Sequence, residues 1–229
     1  MARSAPGRGA GPAVVVKLGG SLLEGHGAPV LGWLDVVARS RVPVVIVPGG
    51  GAFADLVRSE QRRLGFSDRT AHRMALVAMH QTALALADLQ PARRRLVVCD
   101  GGRAIGDALA AGRVALWVPL PMTDGDPAIP EDWSITSDGL SAWLAARIGA
   151  REVVLVKSLP GAGRMTLAAL GAAGAVDPEF ARRVGDGAIP WRVLGPGDEA
   201  RLADLVGTEA EMQPDAGAGY GPGSGKTRR

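Results

Sequence analysis

Two lysines, Lys17 and Lys157, stand where this chain could hold phosphate. Each closes a valine-rich run, and every other permanently cationic side chain between residues 13 and 210 is arginine. A general need for positive charge therefore does not explain them. An ammonium is a compact, rotatable point charge suited to phosphate oxygens, whereas a guanidinium is a planar fork. The stretch Val14-Val15-Val16-Lys17-Leu18-Gly19-Gly20-Ser21 reads as a strand delivering its lysine to a sheet edge, with two glycines that let an anion approach the backbone. It also reads as a strand-end lysine before an ordinary glycine turn.

A second stretch, Val44-Val45-Ile46-Val47-Pro48-Gly49-Gly50-Gly51, leads into a helix beginning near Ala52. Three glycines at a strand-to-helix junction expose consecutive backbone N–H groups, which suits an anion. A third stretch, Trp133-Ser134-Ile135-Thr136-Ser137-Asp138, opens a helix, and Val153-Val154-Leu155-Val156-Lys157-Ser158 follows it. Asp138 is either a carboxylate favouring its helix start or the group that orients a lysine ammonium. Gly225-Lys226-Thr227 ends like a phosphate-binding P-loop, but Tyr220 occupies the place of that motif's first glycine.

The elements that must position these groups follow from short apolar runs at 13–18, 43–47, 95–99, 114–118, 153–156 and 191–194. Continuous apolar runs, unlike alternating ones, predict strands buried on both faces of a parallel sheet. Helical spacing lies between them: Phe53, Leu56, Val57 and Leu64; a stretch from Asp68 to Gln90; and Leu140, Leu144 and Ile148. The expected fold is a three-layer α/β/α sandwich around a mainly parallel central sheet. Its limits are residues 13–210, between an N-terminal arm (1–12) and a glycine-rich tail (211–229). Pro119–Pro130 looks too irregular for either element and reads as a lid or substrate-facing loop.

Composition narrows the function. The formal charge of +3 is carried by the two ends, so residues 13–210 are neutral, and aromatics make up only 4%. A neutral core without a stacking platform argues against a nucleic-acid partner. No apolar run approaches the ~20 residues of a membrane span. Cys99, the single cysteine, forms no intrachain disulfide and reads as a buried structural thiol in a reducing, cytoplasmic setting. His26, His72 and His80 lack metal-ligand spacing.

Taken in order, KLGGS at 17–21, PGGG at 48–51, TSD at 136–138, VVLVKS at 153–158 and VLGPGDEARLADLVGTE at 193–209 resemble the amino-acid kinase superfamily, which includes acetylglutamate, uridylate and isopentenyl phosphate kinases. SDRTAHRMALVAMHQ at 67–81, DWSITSD and AVDPEF at 175–180 look most like its members that serve methanofuran biosynthesis, whose acceptor is 5-(aminomethyl)-3-furanmethanol phosphate. The resemblance implies an ATP- and Mg²⁺-dependent kinase acting on a small phosphate monoester, and a homo-oligomer.

By the same resemblance, Lys17 meets the transferring phosphoryl group, and Asp138 positions Lys17. Gly19, Gly20 and Ser21 hold ATP phosphates, which Lys157 and Ser158 reach as well. Gly49, Gly50 and Gly51 hold the acceptor side, and Arg73 is the candidate for the acceptor's own phosphate. Metal ligands are not assigned. Where many members continue with Asp-Gly-x-Tyr, this chain has Leu159-Pro160-Gly161-Ala162-Gly163, and a later lysine-containing nucleotide segment is missing. Two alternatives stay open: a non-catalytic nucleotide or oxyanion binder, as in a molybdenum storage protein of the superfamily, and a kinase acting on a carboxylate.

Overall fold

A computed structural model describes residues 11–24, 28–89, 95–185 and 187–208. The expectations for the first ten residues, for His26 and for the tail with Lys226 lie outside the described residues. The chain enters through β1 (Val14–Leu18), makes a 3-10 turn at Gly20–Leu23 and returns along α1 (Ala28–Ala38) to β2 (Val44–Pro48). Two long helices follow, α2 (Gly51–Leu64) and α3 (Asp68–Leu89), and then β3 (Leu96–Cys99), α4 (Gly102–Ala110) and β4 (Val114–Trp117). The second half runs α5 (Leu120–Thr123), α6 (Ser137–Ile148), β5 (Glu152–Val156), α7 (Leu167–Ala172), α8 (Pro178–Val184), β6 (Trp191–Leu194) and α9 (Glu199–Val206).

All six apolar runs are strands. They form one sheet in the order β3-β4-β2-β1-β5-β6, and every neighbouring pair is parallel. Side-chain alternation divides the core between the two faces. Val14, Val16 and Leu18 pack with α1 and α9, and Val15 packs with α6 and α8. Burial on both faces holds for the four central strands. The edge strands differ, because each has a neighbour on one side only: Val98 on β3 and Arg192 on β6 are exposed.

Two helical readings change. Val57 is buried, but Phe53, Leu56 and Leu64 of the same α2 stripe are exposed, so most of that stripe faces away from this chain's core. Pro119–Pro130 is not a loose loop. It contains α5, it buries Ile129, and Trp117 donates its indole N–H to Met122 Sδ at 3.2 Å. Prolines disguise a helix this short, since they are tolerated in a first turn.

The two glycine junctions meet at the C-terminal edge of the sheet, because β1 and β2 are adjacent and Leu18 is level with Pro48. They touch backbone to backbone. A Cβ on Gly20 would lie 2.4 Å from Gly51 N, and one on Gly49 would lie 2.4 Å from Gly20 N. Gly51 also has a φ of +53°, in the left-handed region. The strand order reverses beside this edge, between β1 and β5, which is where open α/β sheets bind ligands.

Gly20→Ala should force the two turns apart and lower unfolding free energy by about 1–3 kcal/mol, the usual range for overpacking. Urea denaturation should show this as a lower midpoint at unchanged slope.

Candidate active site

Strand parity decides where the lysines point. Lys17 follows Val15 by two residues, and Lys157 follows Leu155 by two, so both side chains take the α6 face of the sheet. β1 and β5 are neighbours, with Lys17 level with Leu155. The lysines therefore arrive on one face, two residues apart in register, beneath the start of α6.

Asp138, in the first turn of α6, receives both. Lys17 Nζ lies 2.9 Å from Oδ1 and Lys157 Nζ lies 2.6 Å from Oδ2. The Lys157 contact has hydrogen-bond geometry; the Lys17 contact is an ion pair whose angle leaves Oδ1 without a hydrogen bond. Lys17 and Asp138 are each only 4% exposed.

Burial is the largest influence on Asp138 and favours its neutral form, but the two ammoniums together outweigh it and hold the carboxyl below its ordinary value. Lys157 is pushed down to about 8, first by burial and then by the charge of Lys17, with Asp138 offsetting part of the effect. Two cations on one carboxylate leave one positive charge unmatched. Such a group is poised for an anion.

The turn carrying Asp138 is fastened from behind by Asp177, the N-cap of α8. Its Oδ2 accepts from Thr136 N (2.8 Å), Thr136 Oγ1 (2.7 Å) and Gly139 N (2.9 Å), and its Oδ1 accepts from Phe180 N (2.7 Å). Its pKa is raised by burial and by the charge of Asp138, although these donors pull the other way. A Cβ on Gly139 would come within 2.8 Å of Asp177 Oδ1, so the approach depends on that glycine. Sequence reasoning assigned Asp177 no role. Asp177-Pro178 is legible as a helix start, but the turn it holds, at Thr136, lies 41 residues away in the sequence.

Around this core the remaining candidates take different places. Gly20, Ser21, Gly49, Gly50 and Gly51 line a cavity of about 230 Å³, closed by α2, α3 and the start of α6. Gly19 does not line it; its N–H donates to Val156 O at 3.0 Å, which ties the first glycine turn to the end of β5. Ser158, just past β5, has its hydroxyl 2.8 Å from that of Ser21, bridging the segments that follow the two lysines.

The segment after Ser158 is packed rather than loose. A Cβ on Gly195 would meet Leu159 O at 2.8 Å, and one on Gly163 would meet Val193 O at the same distance.

Arg73 is the exception. It pairs with Asp124 at 3.0 Å and lines a separate cavity of about 400 Å³ on the outer side of α2 and α3. Helix phase is the reason: His72, one position earlier, lines the inner cavity, and Arg73 is rotated ~100° away. Burial lowers the His72 pKa, favouring neutral imidazole. The cation that lines the inner cavity is Arg58 of α2. It pairs with Asp55 at 2.9 Å and lies 4.3 Å from the ring centre of Trp133. Its only sequence signal was its place on the helix after Gly49–Gly51.

This geometry defines an α/β protein with a cationic, glycine-lined sheet edge, and comparison with known proteins gives the family. Residues 12–161 match the model of the amino acid kinase family. The chain belongs to that family.

A (5-(aminomethyl)furan-3-yl)methyl phosphate kinase from Methanocaldococcus jannaschii is 28% identical over 148 residues, spanning 64% of this chain and 66% of that kinase's length. The uridylate kinase of Archaeoglobus fulgidus superposes with a TM-score of 0.63 at 20% identity, covering 86% of this chain and 96% of that one. The aspartate kinase of Synechocystis gives 0.59 at 15% identity, covering 80% and 38%. These structural likenesses are likenesses of fold.

Because free Lys157 loses its proton near pH 8, affinity for a polyphosphate anion should fall as pH rises through about 8. Calorimetric titration with inorganic tripolyphosphate checks this. A Lys157→Arg protein, which keeps its charge, should lose much less affinity over that range.

Proposed function

We propose that the chain is a small-molecule kinase that transfers the γ-phosphoryl group of ATP to a phosphate monoester. The observation that carries this reading is the pair of ammoniums on one buried carboxylate, set beside two interlocked glycine turns and a cavity. Phosphoryl transfer asks little covalent chemistry of a protein; it asks for in-line placement and fixed positive charge. In this reading Lys17 stabilises charge on the transferring group and Lys157 holds nucleotide phosphates. Asp138 keeps the two ammoniums apart from each other and aimed at the edge. Gly20 and Ser21 present backbone and hydroxyl donors to the nucleotide and Ser158 joins them, while Gly19, whose N–H is taken by Val156 O, shapes the turn.

Gly49–Gly51 and Arg58 face the acceptor, with Arg58 taking the place first expected for Arg73. No cluster of three His, Cys, Asp or Glu side chains occurs among the described residues. Mg²⁺ in kinase sites is commonly held by substrate phosphates, water and one or two carboxylates. When bound with ATP it would neutralise phosphate charge.

The particular acceptor we favour is the aminomethylfuran phosphate named for the Methanocaldococcus jannaschii kinase, with a place in methanofuran-type one-carbon cofactor synthesis and a cytoplasmic setting. Its support is sequence similarity at 28% identity.

The test is ADP release from Mg-ATP with that phosphate, with carboxylate acceptors, and with no acceptor. Acceptor-dependent release with the phosphate is expected. Nucleotide binding without such release would support a non-catalytic binder, and release only with a carboxylate would move the acceptor class. Lys17→Ala should lower transfer by at least ~100-fold while the protein stays folded, and Lys17→Arg should recover little. Full turnover by Lys17→Ala would overturn the mechanism.

We further propose that the exposed apolar stripe of α2 and α3, including Phe53, Leu56, Met74 and Val77, is covered by a second copy of the chain. The support is that these four exposed apolar side chains line one cavity together, an unpartnered patch of a kind seldom left open on monomers. Light scattering should give a dimer mass, and Leu56→Glu should give a monomer.

A further inference from the structure

The charges lining the inner cavity do not cancel. Its charged lining residues are Glu24, Asp55 and Arg58, with His72 held toward neutrality by burial. Arg58 and Asp55 neutralise each other at 2.9 Å, and the Trp133 ring lies against the guanidinium. Glu24 is what remains. Among the described residues its carboxylate has no hydrogen bond or ion pair, although it lies on the wall of a cavity set beside a phosphate-binding edge.

Its position is built in. The Gly20–Leu23 turn that gives Gly20 and Ser21 to the cavity ends at Glu24, whose N–H donates to Ser21 O at 3.3 Å. The short turn after Lys17 therefore brings a carboxylate back to the same cavity.

Glu24 is exposed where it lines the cavity, so its charge is felt by an acceptor that displaces the water around it; a purely anionic acceptor gains nothing from that carboxylate, since like charges repel. An acceptor that carries a cation as well as its phosphate matches both signs. We infer that Glu24 is a specificity-determining residue that binds an ammonium group on the acceptor, so that the chain selects a zwitterionic phosphate monoester over one lacking the amine. This rests on the kinase reading above. It goes further by assigning a residue to the amine and by predicting rejection of amine-free phosphates. A volume of about 230 Å³ suits a single small ring with its substituents, well below the usual drug-sized pocket.

The experiment compares (5-(aminomethyl)furan-3-yl)methyl phosphate with its 5-methyl analogue, which has the same ring and phosphate but no amine. Wild type should favour the amine by roughly 10- to 100-fold in kcat/KM, the range expected for a charged hydrogen bond. Glu24→Gln should shrink that ratio about tenfold, and Glu24→Asp should restore part of it.

Equal efficiency for both compounds in wild type, or an unaltered ratio in Glu24→Gln, overturns the inference while leaving the kinase reading intact. Turnover of neither compound counts against the kinase reading for this acceptor. In that case calorimetric binding of the two phosphates without nucleotide still decides the role of Glu24: tighter binding of the amine, lost in Glu24→Gln, supports it, and equal binding overturns it.

Discussion

Everything at the sheet edge depends on one carboxylate shared by two ammoniums. Lys17 and Lys157 come from adjacent strands onto the same face, where two like charges out of water would repel strongly. Asp138 makes that arrangement tolerable, and its own burial is tolerable only because both cations are there. The group is thus neither neutral nor fully satisfied. It keeps one unmatched positive charge in a place largely shielded from solvent, which is a useful state for a site that must receive a multiply charged anion.

Such a centre has to be held rigidly, and most of the surrounding structure can be read as its support. Asp177 fixes the backbone on both sides of Asp138 by accepting three hydrogen bonds from Thr136 and Gly139, and a fourth, from Phe180 N, anchors Asp177 at the start of its own helix. The glycine turns are locked against each other at distances that exclude any side chain. In the proposed kinase reading, nucleotide and acceptor sides share this wall of backbone. A wall of that kind lets two phosphorylated molecules come close while keeping the turns that hold them in a constant relation.

The strands and the phosphate motifs were legible early because each is a local property. A run such as Val14–Val16 can be buried on both faces only in a covered parallel sheet, and repeated glycines at strand ends declare a close backbone approach. Even the shared direction of Lys17 and Lys157 follows from counting in twos along their strands. Helix faces were less legible. The α2 stripe of Phe53 and Leu56 has the spacing of a core-facing helix, and an apolar stripe is the same whether it meets its own core or some other surface.

By itself, then, the sequence determined the six-stranded parallel sheet, the two glycine junctions, the lysines at the strand ends and the family to which they belong. Tertiary structure alone decided which residues meet across long separations. It set Asp177 behind Asp138, put Arg58 in the cavity in place of Arg73, and returned Glu24 to the cavity wall. The physical reason is range. Alternation and turn chemistry act over a few neighbouring residues, whereas the partner of a charged side chain depends on how helices rotate and pack against the sheet, and only the folded chain as a whole sets that.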